Sequence, residues 1–179
     1  SSGNSASATQ TITIVDTTLP TIMTPADVEV EATSMENNLV EFGFAEASDQ
    51  VEVSTITNDA PTTFPLGETI VTWTATDSSG NSASATQTIT VVDTTAPVIV
   101  TPENVISSAT SKLNNIVELE QISATDSIST VQITNNAPSY YEFGETIVTW
   151  TATDSSGNSA SATQTITVVD TTAPVITPP

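Results

Sequence analysis

The chain has 179 residues and is strongly acidic, with 21 Asp or Glu, Lys112 as its single basic residue and a net charge of −20. It contains neither His nor Cys, which excludes a Ser-His-Asp triad, a thiol nucleophile and a zinc site with the usual ligands. The charge argues against nucleic acid and anionic membrane surfaces as partners, because both are bound by clustered Lys and Arg. It favours cations instead, and hard oxygen ligands favour calcium or magnesium.

The acidic residues alone do not indicate an enzyme. Carboxylate-only chemistry such as glycoside hydrolysis needs two acids that converge in one cleft, whereas these acids are scattered through predicted strands and turns. We therefore expect no catalytic activity, and the charge is also explained by solubility in a salty medium. No segment approaches the ~20 consecutive apolar residues of a membrane-spanning helix, so we expect no membrane insertion.

The N-terminal segment 1–15 is predicted to be the final strand of a truncated repeat. Its opening Ser-Ser-Gly-Asn recurs at 78–81 and 155–158. A lone strand needs a pairing partner, because its backbone donors and acceptors must be satisfied. Two alternatives are open: the chain is a window from a longer array, or Ile12 and Ile14 complete the sandwich of an identical subunit by strand addition.

Two complete copies of a repeat follow. Asp16, Asp93 and Asp170 each open an Asp-Thr-Thr tripeptide at a constant spacing of 77 residues, and the 33 residues 67–99 recur unchanged as 144–176. This period is too long for one turn of a solenoid and predicts a small independent domain that packs beside its neighbours in the same chain. The predicted domains and their flanks are a preceding strand at 1–15, repeats at 16–92 and 93–169, and a linker at 170–179.

Within each repeat, apolar and polar residues alternate in the pattern of half-buried antiparallel strands. Asp77 to Asn81 supplies a turn between two long alternating runs and predicts a β-hairpin. Trp73 and Trp150 are predicted core anchors, the alternative being a ligand-stacking role. About seven short strands per repeat predict an all-β fold of tandem immunoglobulin-like antiparallel sandwiches. The strands predicted in the first repeat span 28–31, 39–44, 51–57, 71–76 and 83–91.

Three blocks of the first repeat carry a resemblance to a known family. They are Pro-Ala-Asp-Val-Glu-Val-Glu at 25–31, Thr-Phe-Pro-Leu-Gly-Glu-Thr through Trp-Thr-Ala-Thr-Asp-Ser-Ser-Gly-Asn at 63–81, and Asp-Thr-Thr-Ala-Pro at 93–97. Together they resemble the hyalin repeat (HYR) family, and the resemblance covers both repeats. It implies extracellular modules with immunoglobulin-like folds and roles in adhesion.

The sequence departs from animal members of that family at their cysteines. Thr24 and Thr101 stand before Pro where Cys is often found, and Thr86 and Thr163 fill the expected partner position. The pattern therefore resembles a prokaryotic branch without the disulfide. Because a sandwich of ~77 residues has a thin core, its stability must then come from another source.

Four oxygen-bearing side chains of each repeat are predicted to meet at one pole of its sandwich. In an immunoglobulin-like sandwich the B–C and F–G loops lie at the same end, where the chain enters. Calcium takes about 6–8 oxygen ligands, so the set predicts a calcium site at the junction with the preceding domain. The alternative for Asp77 and Asn81 is that they are ordinary turn residues. The predicted ligands are Asp16, Asp49, Asp77 and Asn81 in the first repeat, and Asp93, Asp126, Asp154 and Asn158 in the second.

The leading functional hypothesis is a spacer or filament segment of an extracellular surface protein, stiffened by calcium. Near-identical repeats suit a spacer, because recognition sites diverge in their loops. The alternative is an adhesin whose repeats bind glycan or another surface. Its candidate contacts are the flat Thr-rich face at 86–90 and the loops that differ between the repeats, 60–66 and 137–143.

Overall fold

The computed structural model describes residues 2–177, so Ser1 of the predicted N-terminal strand and Pro178 and Pro179 of the predicted linker lie outside the described residues. The described residues form two compact units, one of residues 2–30 and 39–91, the other of residues 31–38 and 92–177. All regular secondary structure in this part of the chain is β-strand. It contains no helix long and apolar enough to cross a membrane.

The first repeat has a two-stranded and a four-stranded sheet. The two-stranded sheet pairs β1 (Thr21–Met23) with β3 (Glu46–Ser48) in antiparallel fashion. The four-stranded sheet has the order β2-β6-β5-β4, and β5 and β6 form its long antiparallel hairpin. Its strands are β2 (Val28–Glu31), β4 (Val53–Asn58), β5 (Gly67–Asp77) and β6 (Ser82–Val92).

The second repeat has the same two sheets. A two-stranded sheet pairs β7 with β9, and a four-stranded sheet has the order β10-β11-β12-β8, in which β8 runs parallel to β12. The prediction of an all-β fold of tandem sandwiches is confirmed. The strands are β7 (Val98–Ile99), β8 (Val105–Ser108), β9 (Ala124–Thr125), β10 (Gln132–Asn135), β11 (Gly144–Thr153) and β12 (Ser159–Val169).

Two details of the predicted strand pattern are wrong. Each repeat has six strands among the described residues rather than about seven, and the strand predicted over 39–44 does not form. Gly43 has a φ of 81°, outside the range of a strand, and the Phe42 carbonyl accepts a hydrogen bond from the Gln87 side chain at 2.9 Å. The segment is therefore held by a side chain and not by a neighbouring strand.

The N-terminal segment has no paired strand within the described residues 2–20. Its apolar side chains are open to solvent, with Ile12 78%, Ile14 94% and Val15 70% exposed. Its role as the final strand of a preceding repeat therefore stays a prediction.

The core of each repeat is built on the inward face of its long hairpin. Along β5 the burial alternates strictly from Val71 to Asp77, as a strand with one face against a core requires. Trp73 and Trp150 are 3% and 5% exposed, which confirms their prediction as core anchors. In the second repeat, Trp150 packs in one cluster of buried side chains with Tyr141, Val148, Ile166 and Val168.

A buried glutamine crosses the core of each repeat, and the sequence analysis did not single it out. Gln87 is 1% exposed; its Oε1 accepts from Trp73 Nε1 at 3.1 Å, and its Nε2 donates to the carbonyls of Ala26 at 2.7 Å and Phe42 at 2.9 Å. Gln164 accepts likewise from Trp150 Nε1 at 3.1 Å. In a chain without cysteines, this side chain joins segments that are distant in sequence.

Candidate metal centre

The turn of the long hairpin fixes the first carboxylate of the candidate site. β5 ends at Asp77, whose Oδ1 accepts from the backbone N–H groups of Ser79 and Asn81, both at 2.8 Å. Gly80 has a φ of 92°, in the left-handed region that glycine adopts without steric strain. The Asp-Ser-Ser-Gly-Asn sequence therefore closes the turn and leaves Asp77 buried, at 3% exposure.

An asparagine ties the entering linker to this turn in both repeats. Asn81 Nδ2 donates to Asp77 Oδ2 at 2.7 Å and to the Asp16 carbonyl at 3.2 Å. In the second repeat, Asn158 Nδ2 donates to Asp154 Oδ2 and to the Asp93 carbonyl, both at 2.9 Å. These amides hold the linker aspartate beside the turn, and the role of the two asparagines as metal ligands stays a prediction.

Three carboxylates come together in each repeat. In the first, Asp16, Asp49 and Asp77 each place one oxygen so that all three oxygens lie within 4.8 Å of one another. The corresponding residues of the second repeat, Asp93, Asp126 and Asp154, do the same. The structure therefore brings together the six aspartates that the sequence analysis selected, from a linker and two loops of each repeat.

The hydrogen bonds of the loop and linker aspartates show which oxygens remain available. Asp49 Oδ1 accepts from the Val51 N–H at 2.9 Å, and Asp126 Oδ1 accepts from the N–H groups of Ile128 at 2.8 Å and Ser129 at 2.9 Å. Asp16 Oδ2 is buried and has no hydrogen-bond partner. Local backbone bonds thus orient the loop carboxylates, while a buried oxygen of the linker aspartate lacks a donor.

The two clusters differ at the linker aspartate. In the second repeat, Asp93 Oδ2 accepts from Ser156 Oγ at 3.0 Å, whereas the corresponding Asp16 Oδ2 has no such donor. Asp93 is also more deeply buried, at 7% exposure. The donor set of both clusters consists of carboxylate oxygens, the ligand type that hard divalent cations prefer.

Comparison with known proteins assigns the family. Residues 15–91 and 92–168 each match the HYR domain. The chain belongs to the HYR domain family. It is 39% identical over 193 aligned residues to Hyalin of Strongylocentrotus purpuratus and 38% identical over 192 residues to Hyalin of Lytechinus variegatus. These alignments cover 98% and 97% of the chain but only 16% and 36% of the two relatives.

Solved structures with some likeness to these HYR repeats include cadherin fragments. A crystal structure of Drosophila N-cadherin EC1-4 matches 86% of the chain and 50% of its own length, at 16% identity and a TM-score of 0.37. Mouse cadherin-23 EC22-24 matches 87% of the chain and 66% of its own length, at 15% identity and a TM-score of 0.36.

The linker between the HYR repeats is also held by a glutamate that the sequence analysis interpreted as the solvated side of a strand. Glu31 Oε1 accepts from the Thr94 N–H at 2.9 Å and from Thr95 Oγ1 at 3.1 Å, and its Oε2 accepts from Thr94 Oγ1 at 2.8 Å. The Thr94 backbone bond is the largest of the effects that lower the pKa of Glu31. No local pattern signals this contact, because its partners lie 63 and 64 residues away.

The turn carboxylates are held in their charged form. Burial raises the pKa of Asp77, but hydrogen bonds from the Asn81 side chain and from the backbone of the turn together outweigh it, so the pKa lies below its ordinary 3.8. Asp154 has a lowered pKa for the same reasons, with Asn158 in the place of Asn81. Both groups are therefore ionised and available to a cation at neutral pH.

These lowered pKa values predict loss of stability in acid. A carboxyl whose pKa is lower in the folded state stabilises the fold fully above its unfolded pKa and loses this contribution as the pH falls through the folded value. In chelator, we expect the free energy of unfolding to fall below about pH 4, near the ordinary Asp pKa. Denaturant unfolding between about pH 7 and about pH 2.5 measures it, and Asp77→Asn/Asp154→Asn should flatten the decline. An unchanged acid limb in that variant would contradict the assignment.

Proposed function

We propose that this chain is a structural spacer segment of an extracellular, adhesion-type repeat protein, and that each HYR repeat holds one calcium ion at its three-aspartate cluster. The observation that carries the proposal is the convergence of three carboxylate oxygens within 4.8 Å in both repeats. The role is mechanical and not catalytic. The wider activity of the protein belongs to the same proposal, since the chain spans a minor part of its relatives.

The proposed calcium ion acts by fixing the linker. Asp93 lies in the Asp-Thr-Thr-Ala-Pro segment that joins the repeats along the chain, while Asp126 and Asp154 belong to loops of the second repeat. Three carboxylates at this spacing repel one another, and a divalent cation converts the repulsion into attraction. Pro97 fixes its own φ and favours an extended conformation at Ala96, so little flexible chain remains.

Thermal unfolding tests this proposal directly. Calcium that binds only the native state must raise the unfolding temperature by mass action, and excess chelator must reverse the effect. Magnesium at the same concentration is the control cation, because its strict octahedral geometry suits a cage of protein carboxylates less well. An unfolding temperature that does not respond to millimolar calcium would remove the proposed sites.

We further propose that residues 1–15 pair as a strand with the sheet edge of an identical subunit. The segment repeats the sequence of 78–92 with one change, Ile14 in the place of Val91, and its apolar side chains are exposed. β2 and β4 are the edges of the four-stranded sheet of the first repeat and could accept a strand.

Sedimentation over a range of concentrations tests this pairing. We expect the full chain to associate as its concentration rises, and a variant with Ile12→Asp and Ile14→Asp to remain monomeric, because the charges remove the apolar face of the strand. Thr11→Asp/Thr13→Asp is the matched control, which places the same charges on the opposite face. A full chain that is monomeric at every concentration would reject pairing between subunits.

A further inference from the structure

The two repeats fill one region of their cores differently. In the first repeat, the Phe42 ring packs against Phe64 with ring centroids 5.6 Å apart and against Trp73 at 6.0 Å. The corresponding residues of the second repeat are Leu119, Tyr141 and Trp150. The second repeat therefore has one aromatic ring fewer at this place and carries a hydroxyl that the first repeat lacks.

A cavity lies at this place in the second repeat. Its volume is about 510 Å³, within the range of roughly 300–1,000 Å³ that is typical of small-molecule sites. Aliphatic side chains dominate the lining, together with the indole of Trp150 and the ring of Tyr141. The principal aliphatic residues are Val117, Leu119, Ile122 and Ile133.

The segment that forms one wall is attached by fewer hydrogen bonds than its counterpart. In the first repeat, Gln87 Nε2 donates both to Ala26 and to Phe42. In the second, Gln164 Nε2 donates to the Glu103 carbonyl at 2.6 Å, and the described contacts include no bond from it to Leu119. The wall of residues 117–122 is also outside any strand, so it can adjust to an occupant.

Tyr141 supplies the polar feature of this cavity. It is 2% exposed, and its Oη is buried without a hydrogen-bond partner. Burial raises the pKa of Tyr141, so the phenol is neutral and acts as a donor at physiological pH. A buried donor without an acceptor is unfavourable, and an acceptor brought by a ligand would remove that penalty.

We propose that the cavity of the second repeat binds a neutral aromatic molecule that carries a carbonyl or ether oxygen. Its ring occupies the place that Phe42 fills in the first repeat, and its oxygen accepts a hydrogen bond from Tyr141 Oη. The neutral class follows from the net charge of −20, which disfavours an anionic ligand. This site is separate from the aspartate clusters and does not depend on calcium.

Titration of the full chain with acetophenone tests the proposal. The protein has two indole N–H groups, and the signal missing from a Trp73→Phe variant identifies that of Trp73 in a ¹H–¹⁵N spectrum. We expect the Trp150 signal to shift saturably with acetophenone while the Trp73 signal stays in place. If both signals move linearly without saturation, or neither moves, the site does not exist.

Two variants exchange residues between the repeats and thus introduce side chains that the fold already accommodates. Leu119→Phe should abolish saturable binding, because the new ring fills the cavity. Tyr141→Phe should weaken binding by about tenfold, the effect of one hydrogen bond of ordinary strength. The reverse variant Phe42→Leu/Phe64→Tyr should create a response at Trp73. Wild-type affinity in Leu119→Phe would overturn the assignment even if the reverse variant failed to fold.

Discussion

Replacement of Asp126 by Asn is expected to reverse the sign of its effect on stability according to whether calcium is present. In chelator the variant should equal or exceed the wild type, because one of three neighbouring negative charges is gone. In calcium it should be less stable, because a ligand has been lost. The substitution is conservative for the loop, since the Asn side-chain oxygen can still accept from the N–H groups of Ile128 and Ser129.

The expected size of the calcium effect follows from mass action. A ligand at roughly 100 times its Kd stabilises the native state by about 2.7 kcal/mol. For a domain of this size, each kcal/mol shifts the unfolding temperature by about 4–8 °C, so the calcium-dependent shift should be on the order of 10 °C or more. Calorimetry of the wild type and Asp126→Asn, in calcium and in chelator, measures it.

Matched variants separate a specific site from a general effect of charge. Asp49→Asn should remove the calcium response of the first repeat and leave that of the second. Glu145→Gln removes one negative charge from an exposed position on β11, outside both clusters, and should respond to calcium as the wild type does. An equal loss of response in Glu145→Gln and Asp126→Asn would show that calcium acts only by screening.

The carboxylate clusters could be predicted from sequence because they depend on features that the sequence repeats. The hairpin turn at 77–81 is encoded locally by Asp, Gly and Asn, and the 77-residue period fixes the position of the linker aspartate relative to it. Only the placement of Asp49 and Asp126 needed knowledge of the fold. Once two alternating strands flank each aspartate, sandwich topology brings its loop to the same end as the hairpin turn.

The features that could not be predicted all involve side chains that bond distant backbone. Gln87 has the alternation of a polar residue in a strand, yet its position in the four-stranded sheet turns it inward beside Trp73. The interruption at 39–44 has the same origin, because a side chain satisfies the Phe42 carbonyl where a strand was expected. Burial patterns indicate which face is apolar, but not which polar side chain will cross the core.

Replacement of the buried glutamines should therefore have large and unequal effects. Gln87→Leu leaves the Trp73 indole N–H and the carbonyls of Ala26 and Phe42 without their partner, whereas Gln164→Leu leaves the Trp150 indole N–H and the Glu103 carbonyl. An unsatisfied buried group costs about 1–3 kcal/mol. We expect a loss of about 3 kcal/mol or more for Gln87→Leu and about 1 kcal/mol less for Gln164→Leu, from urea unfolding.

The control for this pair is already present in the chain. Gln10 occupies the corresponding position in the N-terminal copy of the sequence and is exposed, so Gln10→Leu should change stability by no more than about 0.5 kcal/mol. Adding Trp73→Phe to Gln87→Leu removes the stranded indole donor, and the two changes should cost less together than the sum of their separate effects. Strict additivity would mean that the indole bond to Gln87 contributes nothing, and that the glutamine stabilises the first repeat through the two carbonyls alone.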